Sequence, residues 1–216
     1  VKVFTIKAAS QVTGGCTQTS KMPCKSYSLP TSACITGGKL REMVGSVCAD
    51  CYADKGFYKM YKKTIEPAQK RRLASINDPQ WVDAMVTLIG TDPYFRWHDS
   101  GDIQSIKHLS LIIEVCKRTP MTRHWLPTKE YAIVRDYSAN NDVPGNLVIR
   151  LSALYVDKQH TVPLWAAEHP QIAFSTVFMD KDLQGYECNA PKQNGKCDQC
   201  RACWNPEVYT VAYKKH

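Results

Sequence analysis

What this chain lacks narrows it first. None of its apolar runs approaches the roughly 18 residues that a membrane-spanning helix needs. No N-terminal stretch has the charged, apolar, small-residue order of a secretory leader. The expectation is a soluble, intracellular protein with no membrane partner. Cysteine is almost absent from residues 52 to 187, where Cys116 stands alone. Ten cysteines occur in 216 residues, so the other nine crowd the two ends. Apolar residues make up an ordinary 44%, which suffices for a core at this length. The thiols are therefore not needed as staples for a tiny fold. In a reducing cytosol, crowded thiols bind metal more often than they pair. A secreted, disulfide-rich protein is the alternative.

The C-terminal concentration reads Cys188, then Cys197-Asp-Gln-Cys200-Arg-Ala-Cys203. The N-terminal one reads Cys16, Cys24, Cys34 and Cys48-Ala-Asp-Cys51. A Cys-x-x-Cys loop sets two thiolates on one ion or cluster edge, with its backbone N–H groups aimed at the sulfurs. Three cysteines at this spacing wrap three corners of a cubane, as in bacterial ferredoxins, where a Cys-Pro follows. Here the run ends Cys203-Trp-Asn-Pro206, so the remaining ligand comes from elsewhere. The candidates are Cys34, Cys48, Cys51, Cys188, Cys197, Cys200 and Cys203. They predict a [4Fe–4S] or [3Fe–4S] cluster. One cluster would gather four of them from both chain ends. Two clusters would use the ends separately, the N-terminal one recruiting Cys24 or leaving an iron open. Zinc is the alternative metal, with Cys48/Cys51 and Cys200/Cys203 as its two pairs. Cys116 lies on the apolar side of a helix and reads as core.

The net charge is +8, and Lys55, Lys59, Lys62, Lys63, Lys70, Arg71 and Arg72 interleave with Phe57, Tyr58 and Tyr61. Basic and aromatic residues together are one signature of nucleic-acid binding. A zinc-stabilised nucleic-acid-binding module is thus the competing function. The plainer reading is a solvated helix face.

Three stretches of one domain (1–216) can be told apart. Residues 1–55 are cysteine-rich and irregular, with Val3 to Ile6 as a short strand. Residues 56–180 carry alternating strands and helices. Residues 181–216 hold the second cysteine run and a last strand over 207–213. Helices are predicted at 64–75, 80–89, 103–118, 130–138 and 162–169, from apolar spacing and first-turn signals such as Asp78-Pro79. Strands are predicted at 94–98, 122–126, 146–151 and 171–176. This order implies an α/β protein with parallel pairing, a partial or closed βα-barrel of about six units. A doubly wound open sheet is the rival. Either way, the working face lies at the carboxyl ends of the strands. Polar residues gather there: His98, Asp99, Ser100 and Asp102, then Thr128 and Lys129, then Ser152, then Ser175 and Thr176. His98 or Asp99 is a candidate acid or base, and Lys129 a candidate holder of an anionic substrate. Asp102 and Thr128 have capping as their ordinary explanation.

Several segments resemble the phage gene product 88 family. They are Lys21-Met-Pro-Cys24 with Tyr27-Ser-Leu-Pro30, Cys34, Cys48-Ala-Asp-Cys51-Tyr52-Ala53 with Lys55-Gly-Phe-Tyr58, Trp97-His-Asp-Ser-Gly-Asp102, and Cys197-x-x-Cys200-x-x-Cys203-Trp204. The resemblance implies a viral protein made in the cytoplasm of an infected host cell. More distantly, Cys48-x-x-Cys51-Tyr52 looks like the end of the Cys-x3-Cys-x2-Cys loop of radical S-adenosylmethionine proteins, which have a partial, TIM-like βα-barrel. The preceding Cys34 is fourteen positions before Cys48 rather than four, and no Gly-Gly-Glu follows. The resemblance implies a shared barrel and leaves S-adenosylmethionine as a candidate ligand without a full motif. A redox partner or a small-molecule substrate completes the expectation.

Overall fold

The computed structural model describes residues 2–55, 60–159, 161–180 and 184–215. The first element is a helix, α1 (Ile6–Thr13), where a strand from Val3 to Ile6 was expected. The reason is local. The Thr5 side chain accepts a hydrogen bond from the Ala8 N–H, and Gly14 ends the helix in the left-handed region at φ 78°. Val3, 90% exposed, has no sheet to join.

The chain then forms β1 (Thr17–Gln18), β2 (Lys25–Tyr27), α2 (Ile35–Leu40), α3 (Lys62–Ser75), α4 (Trp81–Ile89) and β3 (Tyr94–Trp97). It continues through α5 (Ile106–Arg118), β4 (Arg123–Thr128), α6 (Tyr131–Ser138), β5 (Leu147–Val156), α7 (Leu164–Ala167) and β6 (Ile172–Phe178). The last strands are β7 (Tyr186–Glu187) and β8 (Thr210–Lys214). One sheet holds all eight strands in the order β1-β2-β3-β4-β5-β6-β8-β7. Only the β1–β2 pairing is antiparallel.

The molecule is therefore α/β, as expected, but the sheet is not closed. The physical reason is at its edges. β1 occupies the outer side of β2, and β7 the outer side of β8, so the first and last long-order strands have no free edge for each other. The doubly wound alternative also fails. From β2 to β8 the order never reverses, so there is no switch point. Ala9 of α1, Trp81 of α4, Leu109 of α5, Val134 of α6 and Ala166 of α7 all belong to one buried cluster. The sheet contributes Phe95, Trp97, Leu126, Ile149 and Phe174 to it. Each large apolar side chain buried there stabilises the fold by about 1.5–3 kcal/mol. Cys116 is fully buried in this layer, on α5.

The other sheet face packs a second, smaller cluster. Trp125 of β4 and Val211 of β8 meet Ala202, Cys203 and Trp204, with Cys24 beside them. The C-terminal cysteine run thus lies against the sheet itself.

Candidate metal centres

The first cysteine group is built at the carboxyl ends of β2, β3 and β4. Two backbone segments meet there. The Leu29 N–H donates to the Ser100 carbonyl at 2.9 Å, and the Ser100 hydroxyl donates to the Leu29 carbonyl at 2.9 Å. Gly101 has φ +75°, and a Cβ on it would stand 2.5 Å from Leu29 Cβ and 2.7 Å from the Leu29 carbonyl oxygen. Only glycine fits this approach.

Cys34 follows, just ahead of α2. Glu130, buried after β4, accepts from the Thr36 N–H at 2.8 Å and the Thr36 hydroxyl at 2.7 Å, fixing the Cys34 turn. A Cβ at Gly37 would lie 3.1 Å from Cys34 Cβ and 3.4 Å from Cys48 Sγ, so glycine leaves room for both side chains. The chain then reaches across to the extension of β5. The Val47 N–H donates to the Leu154 carbonyl at 2.9 Å, and the Val156 N–H to the Gly45 carbonyl at 3.0 Å. Cys48 and Cys51 come directly after this anchor.

Cys34, Cys48 and Cys51 feel one another's charge. Burial, and then Asp102, Cys51 and Cys48, push the Cys34 thiol up to about 12, with Arg41 opposing. Burial also raises Cys48, against the pull of the Lys129 ammonium. Asp102 does not cap α5. Ser105 does, accepting from the His108 N–H. The buried Asp102 carboxylate instead accepts from the Thr128 hydroxyl at 2.6 Å, the Lys129 N–H at 2.9 Å and the Ile103 N–H at 2.8 Å. Burial raises its pKa to about 6. A cavity of about 570 Å³ adjoins the group, lined by Arg41, Cys48, Ala49, Asp50, Cys51, Asp54 and Lys55.

Of the expected acid–base residues, Lys129 is half-buried and beside Cys48. The Asp99 carbonyl accepts from the Tyr52 hydroxyl, next to Cys51. His98 is placed differently. It has φ 50°, is 2% exposed, and packs its ring 5.3 Å from that of His108 on α5. Burial holds its pKa well below the ordinary value.

The second group lies on the open sheet face. Cys188 follows β7 and donates its N–H to the Ala212 carbonyl at 2.8 Å; the Cys197 N–H donates to the Lys21 carbonyl at 3.0 Å. Asn194 and Gly195 take positive φ in the loop between them, and Asp198 does so just after Cys197. Cys197 is near Cys188 and Cys200, and Cys203 is near Cys188. Cys24 adds a fifth sulfur beside Cys197. Burial pushes Cys24 up to about 12 and Cys203 to about 11, the latter against the Arg150 charge. The Cys203 sulfur is 3.1 Å from the Tyr213 hydroxyl, and the Cys200 sulfur 3.5 Å from that of Tyr186.

Aromatic packing and one guanidinium hold this loop. The Trp204 indole donates to the Phe95 carbonyl at 3.0 Å and packs 5.1 Å from Trp125. Arg150, fully buried, donates through Nη1 to the carbonyls of Phe174, Val208 and Tyr209, and through Nη2 to those of Ala202, Cys203 and Asn205. Arg96 lies between the two groups. Its guanidinium is 4.4 Å over Trp125, and Nη2 donates to the Tyr52 hydroxyl at 3.5 Å.

The sequence leaves one shared centre or two separate ones open; in the fold the cysteines fall into two sets, Cys34/Cys48/Cys51 and Cys188/Cys197/Cys200/Cys203, with Cys24 beside the second set rather than the first. The zinc pairing of Cys48/Cys51 with Cys200/Cys203 is split between them. Among the described residues, no three His, Cys, Asp or Glu side chains are close enough to hold a single metal ion. The gene product 88 family model matches residues 5–206. The chain belongs to the gene product 88 family. The matched span contains both cysteine groups of this gene product 88 protein. No curated protein and no solved structure matches it.

Of the described basic residues of this segment, Arg72 is buried while Lys55, Lys62, Lys63, Lys70 and Arg71 are exposed. Arg72 is buried, donating to the Gly15 carbonyl and the hydroxyls of Ser28 and Thr17. Lys62 and Lys70 flank Glu66, and Lys55 pairs with Asp50. Phe57, Tyr58 and Lys59 lie outside the described residues. Sequence reading missed Glu130, Arg41 and Tyr213 as neighbours of the cysteines.

Proposed function

We propose that this protein is a viral iron–sulfur protein with two separate centres. Cys34, Cys48 and Cys51 would hold one cluster, and Cys188, Cys197, Cys200 and Cys203 the other. The observation that carries the reading is the sorting of the seven cysteines into a group of three and a group of four. Four thiolates complete a [4Fe–4S] cluster. Three leave one corner without a protein thiolate, as in a [3Fe–4S] cluster or a [4Fe–4S] cluster that takes a small-molecule ligand. The donor chemistry fits, since soft thiolates select iron–sulfur clusters or zinc. A single zinc ion draws its thiolates in at about 2.3 Å, whereas a cubane spreads them over separate irons. When bound, such clusters supply one-electron transfer.

The support for a partial βα-barrel like that of radical S-adenosylmethionine proteins is the run of parallel strands β2 to β6 in chain order, with β8 next to β6. The working end would then be the three-cysteine group, which follows β2, the first parallel strand. Here Lys129 would hold an anionic substrate, Asp102 would fix the Lys129 backbone, and Asp99 would act through its contact with Tyr52. S-adenosylmethionine is a candidate ligand. We place the protein in the host cytoplasm, served by a redox partner. Whether it only transfers electrons or also turns over a substrate is the next division within this reading.

The test is anaerobic purification with iron, sulfide and zinc analysis and a visible spectrum. Brown protein absorbing near ~400 nm, with matched iron and sulfide, is the expected result. Colourless protein with stoichiometric zinc would overturn it and revive the nucleic-acid-binding alternative.

A further inference from the structure

We infer that Tyr213 sets the reduction potential of the four-cysteine centre by donating a hydrogen bond to the Cys203 sulfur. This rests on the iron–sulfur reading above.

Tyr213 lies on β8, beyond the whole cysteine loop, yet its hydroxyl oxygen is 3.1 Å from Cys203 Sγ. A cysteine that ligates iron is a thiolate and has no proton to give. The direction of the bond is therefore fixed, with tyrosine as donor. A phenol keeps its proton at neutral pH, so the hydroxyl is available as the donor. Cys203 is buried among Trp125, Trp204 and Val211, and in such surroundings a hydrogen bond to a charged sulfur is stronger than in water. Reduction adds one negative charge to a cluster, and a hydrogen bond to its sulfur stabilises the added charge. The potential rises accordingly.

Arg150 acts in the same direction from a fixed position. Its guanidinium is pinned to six carbonyls, one of them that of Cys203 itself. Tyr186 supplies the contrast. It is 41% exposed and its hydroxyl is 3.5 Å from Cys200 Sγ, where water competes for the bond. The chemical step is simple: one electron from dithionite enters the cluster, no bond breaks, and the tyrosine proton stays on its oxygen.

The experiment is a redox titration of the intact protein, followed by electron paramagnetic resonance, with dithionite as reductant. Tyr213→Phe should lower the potential of one cluster signal, changing its reduced-to-oxidised ratio at a fixed potential about tenfold, or about 59 mV for one electron. The other signal should stay in place, and Tyr186→Phe should move neither by as much. An unchanged potential in a fully loaded Tyr213→Phe protein overturns the inference. If that variant does not retain its cluster, 3-fluorotyrosine placed at 213 decides. It keeps the size and strengthens the donor, so the potential should rise; no rise overturns the inference. Iron and sulfide content separates the outcomes, because wild-type protein without either defeats the iron–sulfur reading itself.

Discussion

The three-cysteine group hangs from loops, held by carboxylates, while the four-cysteine group is clamped to the sheet by aromatic rings and a guanidinium. Around the first stand Glu130, Asp102, Lys129 and Arg41, with a cavity of about 570 Å³ alongside. Around the second stand Trp125, Trp204, Tyr213 and Arg150. The number of thiolates follows the same division. Where the surroundings are polar and open, there is one ligand fewer and space for a guest. In the second, Cys203 is buried against the aromatic rings while Cys188, Cys197 and Cys200 stay half-exposed. Under the proposed reading, one sheet would carry a site suited to meeting a small molecule and a site suited to storing an electron, with Arg96 between them.

The sharpest way to break this comparison is to empty one group at a time. Cys200→Ala with Cys203→Ala should remove about four iron atoms per chain and leave the other centre's absorption. Cys48→Ala with Cys51→Ala should do the reverse. If either pair removes all the iron, the two groups are one centre and the comparison fails.

The next largest effect is expected at Arg150. Arg150→Met leaves six buried carbonyls short of a donor and should lower stability by about 3–5 kcal/mol, read from a urea midpoint. The four-cysteine centre should be lost first. Gly101→Ala should cost about 2 kcal/mol through its positive φ and the contact with Leu29, and should loosen the three-cysteine group selectively. Equal loss of both centres in either variant would mean that the anchors are not separate.

A smaller effect comes from the helical layer, which belongs to neither group. Burial lowers His108 to about 4 and His124 to about 3. A base whose folded pKa is depressed contributes stability that is whole above about 6.5 and lost as pH falls from there toward 3 to 4. Protonation should therefore weaken the fold progressively across that window. His124→Gln should flatten the lower part of the stability profile; an unchanged slope would show that His124 charges freely in the fold.

Much of the fold could be read directly. The helices at 81–89 and 106–118 and the strands at 94–97, 123–128 and 172–178 follow from apolar spacing, because each buries one face against a single core. The first strand could not be read. Lys25-Ser-Tyr27 has three residues, too few for any alternation, and is held by pairing with β3. The open edge of the sheet was equally hidden, since β1 and β7 are two residues long. The cysteines were legible as a set because spacing reports local geometry. Their division was not, because it depends on Cys188 meeting β8 and on Gly45 and Val47 meeting β5. Glu130 and Tyr213 carry no spacing signal at all; each reaches its cysteine group only through the tertiary fold.

Arg150 also dictates an order of events. Its carbonyl partners belong to β6 and to residues 202–209, near the end of the chain. During synthesis the guanidinium is made long before the acceptors that satisfy it. The last cysteine loop gains its seat only once β5 and β6 are side by side. The three-cysteine group has its last anchors once β5 is in place, whereas the four-cysteine loop also waits for β6 and residues 202–209. If the proposed second cluster is bound, its loading would be tied to the pairing of β5, β6 and β8, so that an occupied second centre would report a completed sheet.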